Sequence, residues 1–91
     1  MAIKAEIEAL STSAELVYTS SNGTADAPQG CVVYNADAAI VVYVGGEGVD
    51  TTDGFPLAAG ASISLDLIVG DAVWAVAASG TPNINILYNR V

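Results

Sequence analysis

Residues 61–67 read Ala61-Ser62-Ile63-Ser64-Leu65-Asp66-Leu67, so small or apolar residues alternate with polar ones. This period of two is typical of a β-strand that packs one face on a core. A turn-rich stretch, Gly54–Gly60, precedes the strand, and a break at Ile68–Asp71 follows it. The next run, Ala72–Ala78, is apolar on both sides and carries the only tryptophan, Trp74. We interpret residues 54–79 as a β-hairpin centred on Trp74.

The rest of the chain contains further short runs with strand character. They cover residues 2–10, 15–19, 31–34, 39–44 and 84–88. Glycine, proline, asparagine and aspartate separate these runs at the spacing expected of a β-sandwich. The sequence therefore predicts an all-β fold: a single small antiparallel β-sandwich or jelly-roll-like domain of about seven short strands over residues 1–91.

Two segments are less regular. Residues 2–10 alternate as a strand would, but Ile3, Ile7 and Leu10 also share one helical face. We expect a strand, with residues 1–10 forming an N-terminal arm or an edge strand. Ser20–Gly30 is predicted as the longest loop, because Asn22-Gly23 is a turn dipeptide and Pro28 excludes a central strand.

The composition predicts contact with other chains. Hydrophobic residues make up 53% of the chain and charged residues only 13%, which is well below the roughly 25% of typical domains. A protein of 91 residues cannot bury that much apolar surface alone. The net charge is −8, with Lys4 and Arg90 as the only cations. Two cations cannot form a phosphate-binding patch, and an anionic membrane repels such a chain, so we expect no nucleic-acid or membrane partner.

The sequence offers no catalytic machinery. There is no histidine, which excludes imidazole-based triads and metal sites. Cys31 begins a strand-like run and is expected to be a buried apolar residue. Asp50 and Asp53 are the closest carboxylate pair in a loop, but a glycosidase needs a deep cleft that this chain is too small to build. We predict that the protein is not an enzyme and has no catalytic, cofactor-binding or metal site.

Three further patterns have structural explanations that we prefer to functional ones. Gly45, Gly46 and Gly48 lack the lysine and the helix of a phosphate-binding loop. Glu47, Asp50 and Asp53 do not have the spacing of an EF-hand calcium loop. Trp74 and the four tyrosines could stack on sugars, but all lie in strand-like runs, where core or interface packing is the simpler explanation. They are Tyr18, Tyr34, Tyr43, Trp74 and Tyr88.

From about Val32 onwards the chain resembles small β-domains of tailed-bacteriophage virion proteins. The resemblance rests on the strand Ala39–Gly46, on Val49–Thr52, and on Gly54–Gly60 before the alternating strand. Asp71–Thr81 and a final strand complete the pattern. It covers about two thirds of the chain.

The resemblance implies a structural role without catalytic residues or cofactors. Proteins of this group decorate or cement capsids, or belong to head and tail fibres. It implies a homo-oligomer, often a trimer, bound to the major capsid protein or another virion protein. The expected place is the capsid surface of a virion, after synthesis in the host cytoplasm. The alternative is a carbohydrate-binding or adhesin-like module of a fibre, for which Trp74 and Tyr43 would have to be exposed.

Overall fold

The protein folds as a β-sandwich of two four-stranded antiparallel sheets. The computed structural model describes residues 2–19, 29–67 and 71–90. The strands in chain order are β1 (Ala2–Ala9), β2 (Glu15–Thr19), β3 (Gln29–Asn35), β4 (Val42–Gly45), β5 (Phe55–Leu57), β6 (Ser62–Leu67), β7 (Ala72–Ala77) and β8 (Asn83–Arg90). Among these residues there is no helix, and so none long and apolar enough to cross a membrane.

The strand order is that of a jelly roll. The first sheet has the order β1-β8-β3-β6 and the second sheet β2-β7-β4-β5. Most successive strands therefore alternate between the two sheets, which is how jelly rolls of eight strands are connected. The predicted all-β sandwich is confirmed, with eight strands in place of about seven. The additional strand is β5, whose three residues the sequence pattern had assigned to a turn.

The predicted hairpin over residues 54–79 is wrong. β6 pairs with β3 in the first sheet, whereas β7 pairs with β2 and β4 in the second. The connection after β6 thus passes from one sheet to the other. Trp74 lies in the middle of an internal strand of the second sheet, not at the centre of a hairpin. Most of the predicted loop Ser20–Gly30 lies outside the described residues, and its last two residues already belong to β3.

The core lies between the sheets and is built from every second residue of the inner strands. Val42 and Val44 of β4 belong to this core, as does Leu10, which directly follows β1. The buried apolar side chains are Leu10, Val17, Cys31, Val33, Val42, Val44, Leu57, Val73, Ala75, Ala77, Ile84, Ile86 and Tyr88. Tyr18 packs against this core, with its ring centroid 4.8 Å from that of Tyr88. Burial of these side chains is the main source of stability.

Asn35 is the fully buried polar residue of this interior, with 0% of its surface exposed. Its side-chain Nδ2 donates to the carbonyl of Ile40 at 2.8 Å and to that of Leu57 at 2.9 Å. Its Oδ1 accepts from the backbone N–H of Asp37 at 3.1 Å. The amide thus joins the end of β3 to β5 and to the β3–β4 connection. Because each of these groups is taken out of water, their mutual bonding is required for a stable fold.

Candidate functional site

The outward side of the second sheet is apolar. Val73, Ala75 and Ala77 of β7 face the core, so Trp74 and Val76 between them face outward. Tyr43 lies opposite Val76, and Leu16 lies opposite Trp74, and directly opposite residues share a face. We call this surface the aromatic face, and it comprises Leu16, Tyr43, Pro56, Trp74 and Val76. None of these five side chains is charged.

Exposure on the aromatic face is uneven. Leu16 is 47% exposed and Val76 only 3%, although both point away from the core. Trp74 and Tyr43 are half-buried. The aromatic rings therefore lie partly against neighbouring side chains and partly against solvent. A surface of this kind combines preformed packing with apolar area that water still contacts, which is typical of an interaction site.

The β4–β5 loop folds over one end of the aromatic face. A Cβ added at Gly54 would lie 2.6 Å from Cβ of Tyr43 and 2.8 Å from Cγ2 of Val49. A Cβ at Gly45 would lie 2.8 Å from the same Val49 methyl group. Val49 is accordingly buried. Glycine is required at both positions because the loop approaches the sheet too closely for any side chain.

The loop carboxylates that could suggest calcium are used to hold the loop together. Oδ1 of Asp50 accepts the backbone N–H of Thr52 at 2.8 Å and that of Asp53 at 3.0 Å. Oδ1 of Asp53 accepts the N–H of Asp50 at 3.0 Å. The Thr52 N–H, followed by that of Asp53, holds the pKa of Asp50 below its usual range. In the described part of the chain, no three acidic or cysteine side chains are grouped closely enough to hold a metal ion.

The outward side of the first sheet is mixed in character, and we call it the polar face. Serine, asparagine and Asp66 lie there beside an apolar row of Ala5, Leu87 and Val32 and beside the exposed side chains of Ile7 and Tyr34. It comprises Ala5, Ile7, Val32, Tyr34, Ser62, Ser64, Asp66, Asn83, Asn85 and Leu87. A depression of about 260 Å³ lies on this side, lined by Gly30, Cys31, Val32, Ser64, Leu65, Asp66, Leu87 and Tyr88. Gly30, which lies opposite Asp66, contributes no side chain to it.

The edge strand β1 is oriented opposite to expectation for an amphipathic strand. Glu6 and Glu8 lie opposite the core residues Ile86 and Ile84, so they are on the inward side of β1, where Glu6 is still exposed and Glu8 is half-buried. Oε2 of Glu6 accepts the hydroxyl proton of Tyr88 at 2.9 Å. Ile7 consequently faces outward and is 69% exposed.

The five aromatic residues do not form one sugar-stacking platform. Tyr18 and Tyr88 pack against each other at the core, Tyr34 lies on the polar face, and Tyr43 and Trp74 lie on the aromatic face. Only the last two share a surface, on the adjacent strands β4 and β7.

Cys31 is 1% exposed and lies in the core. Burial raises the pKa of its thiol to about 11, so the reactive thiolate is scarce at neutral pH. The sequence had no signal for three of these features: the buried amide of Asn35, the Glu6–Tyr88 bond and the outward Leu16. All three depend on which strands pair with each other, and the sequence pattern does not specify that pairing.

The fold has a counterpart among solved structures. No family model matches the chain, and no curated protein matches it either. A chain from a structure described as "Bacillus endospore appendages form a novel family of disulfide-linked pili" superposes with a TM-score of 0.57 at 14% identity. The alignment covers 99% of this chain and 87% of that one. The chain described here is therefore similar in fold to a chain of that Bacillus endospore appendage structure.

Proposed function

We propose that the protein is a structural assembly subunit that docks through its aromatic face onto copies of itself and onto a larger particle. The observation that carries this proposal is the outward group formed by the exposed Leu16 and the half-buried Trp74 and Tyr43, which carries no charge. Removing such a surface from water is favourable, by roughly 25 cal/mol per Å² of apolar area before the cost of docking is subtracted.

The placement of charge supports docking through this face. The carboxylates of the described residues lie in loops, as at Asp37, Glu47 and Asp50, or along strands at the sheet edges. Association through the aromatic face therefore does not force carboxylates out of water. Two chains of charge −8 repel each other through the carboxylates of their loops and sheet edges. Salt at ~0.1 M screens this repulsion beyond about 10 Å.

The structural neighbour supports an assembly role in a general way. That structure is described as one of pili, which are built from repeated subunits. The disulfide linkage in that description does not extend to this chain, because Cys31 is its only cysteine and is buried. We expect any oligomer of this protein to be non-covalent and to migrate as a single chain on a non-reducing denaturing gel.

For the particle itself we propose the capsid of a tailed bacteriophage. Support comes from the resemblance of residues 32–91 to decoration proteins of that group and from the small jelly-roll sandwich. In this role the protein would lie on the outer capsid surface as a homo-oligomer and stabilise neighbouring capsomers. No reaction chemistry is required for it.

A second candidate is glycan binding at the depression of the polar face. There the Ser64 hydroxyl and the Asp66 carboxylate lie beside the apolar side chain of Leu87, a mixture that suits the polar edge and apolar face of one sugar ring. Specific hits on a glycan array that are lost in Asp66→Asn would favour this candidate.

The assembly proposal is tested with the purified full chain. Light scattering after gel filtration should give a mass that is a multiple of 9.1 kDa. Co-sedimentation with empty tailed-phage capsids prepared without the protein should be saturable. A chain that stays at 9.1 kDa up to high micromolar concentration and does not bind capsids would overturn the proposal.

A further inference from the structure

The two sheets have four edges, and three of them are unsuited to pairing with another strand. β5 has only three residues and contains Pro56. β2 is irregular, with a register shift between Leu16 and Tyr18. β1 points Glu6 and Glu8 inward, so a strand added there would bury two carboxylates. Short strands, prolines, bulges and inward charges are the devices by which native sheets prevent edge-to-edge association.

The edge strand β6 carries none of these devices. It has six residues, without a proline, and pairs with β3 in unbroken register. Its inward residues Ile63, Leu65 and Leu67 are apolar and only half-buried. No strand among the described residues pairs with its other side. β6 is therefore the edge open to a further strand.

The free hydrogen-bonding groups of β6 can be identified from its pairing with β3. The N–H of Asn35 donates to the carbonyl of Ala61 at 2.9 Å, so the carbonyl at position 61 points toward β3. Because these directions alternate along an antiparallel strand, positions 63, 65 and 67 also bond to β3. Ser62, Ser64 and Asp66 then direct their N–H and C=O groups to the free side.

We propose that β6 pairs antiparallel with β6 of a second copy, with the two-fold axis at Ser64. This inference rests on the proposed assembly role and specifies one of its contacts. In this register Ser62 lies opposite the partner's Asp66, and Ser64 lies opposite the partner's Ser64. Three hydrogen-bonded pairs form, each exchanging two N–H···O bonds. The two first sheets join into one sheet of eight strands.

The side chains fit this register on both faces. On the outward face each Asp66 carboxylate meets a serine hydroxyl of the other chain, so no two carboxylates are directly opposed. On the inward face Ile63 lies opposite the partner's Leu65, which covers apolar side chains that are half-exposed in one chain. Opposed apolar and hydrogen-bonding pairs each stabilise a sheet. A slip of one strand by four residues, which would set Asp66 against the partner's Asp66, would be disfavoured.

The edge contact and the aromatic face belong to different sheets, so both can be used at once. Pairing through β6 yields a two-fold dimer, and docking through the aromatic face joins dimers to each other or to a particle. Two independent contacts of this kind build an assembly larger than a dimer.

The test compares Ser64→Pro with Ser64→Ala. Proline removes an N–H that the single chain does not use and is tolerated on edge strands, whereas alanine keeps that N–H. We expect Ser64→Pro to reduce the oligomer mass by half and Ser64→Ala to leave it unchanged, with circular dichroism verifying that both fold.

Amide hydrogen exchange on the wild type provides a measurement that does not depend on a variant folding. At concentrations where the protein is oligomeric, the amides of Ser62, Ser64 and Asp66 should exchange at least ~100-fold more slowly than after dilution to the single chain. If the oligomer persists in Ser64→Pro and these three amides exchange equally fast at both concentrations, the edge contact is overturned while the assembly role stands. If the wild type is a single chain at every concentration, both fail.

Discussion

Leu16 and Leu87 are nearly equally exposed, at 47% and 46%, yet they lie on opposite outer surfaces. Leu16 is next to Trp74 on the aromatic face, where the neighbouring outward residues are also apolar. Leu87 lies opposite Ala5 and Val32 on the polar face, within reach of serine, asparagine and Asp66. The difference between the two positions is the polarity of the surrounding face: the residues around Leu16 are uncharged and mostly apolar, whereas Leu87 and its apolar neighbours share their face with Asp66 and with serine and asparagine side chains.

The largest expected effect is on self-association, when a charge is placed at Leu16 and compared with the same charge at Leu87. Leu16→Glu should weaken self-association by about two to three orders of magnitude, because burying an unpaired carboxylate costs several kcal/mol. Leu87→Glu, the matched control, should change it by less than about threefold. Sedimentation velocity over a concentration series measures both. Equal losses in the two variants would remove the distinction between the faces.

The second prediction separates folding from assembly. Asn35→Ala leaves the carbonyls of Ile40 and Leu57 without their donor and should lower the free energy of unfolding by about 2–4 kcal/mol. Asn85→Ala, at an exposed position of β8, should change it by less than about 0.5 kcal/mol.

Chemical denaturation of Asn35→Ala should be performed in the Leu16→Glu background, so that association does not add to stability. A loss no larger than that of Asn85→Ala would show that the buried amide does not hold the sheets together.

The third prediction concerns the loop that covers the end of the aromatic face. Gly54→Ala introduces a methyl group into contacts with Tyr43, Val49 and the carbonyl of Asp50. It should lower stability by about 1–3 kcal/mol and weaken association by displacing Tyr43. Gly46→Ala has no atom within 4 Å of its added methyl group and is the control. Thermal unfolding and sedimentation of both variants test this, and equal behaviour would contradict the close packing of the loop.

The smallest expected effect is a pH dependence at the β3–β4 turn. The N–H of Ala39, followed by that of Ile40, donates to Oδ2 of Asp37 and lowers the pKa of its carboxyl from 3.8. Stability from this carboxylate is therefore complete above about pH 4 and lost as the pH falls through the lower pKa of the folded state. Asp37→Asn should show a shallower loss of stability below pH 4 than the wild type. An identical acid dependence of the two proteins would exclude the contribution.

The side of a strand on which each residue lies was the part of the fold that the sequence predicted best. Val42 and Val44 flank Tyr43 in a run predicted as a strand, and the structure has the two valines in the core and Tyr43 on the aromatic face. The expected burial of Cys31 is also observed. These predictions hold because the pleat of a strand places successive side chains on opposite sides wherever the strand lies.

Strand partners could not be predicted in the same way. The alternation of residues 61–67 predicts that one side of this strand is buried. It does not indicate that β6 pairs with β3 in the first sheet and not with β7. For β1, alternation separated Glu6 and Glu8 from Ile7 without indicating that the glutamates face inward. The short β5 was missed because Pro56 is typical of turns, although prolines are tolerated at a sheet edge. The aromatic face and the open edge of β6 both depend on this long-range pairing.

Trp74, as the only tryptophan, reports directly on whether another chain covers the aromatic face. The fluorescence of the wild type should be followed during dilution, together with its mass. The account predicts that the emission maximum moves to longer wavelength and that acrylamide quenching increases as the mass falls toward 9.1 kDa. Emission and quenching that stay constant while the mass falls would contradict docking through this face.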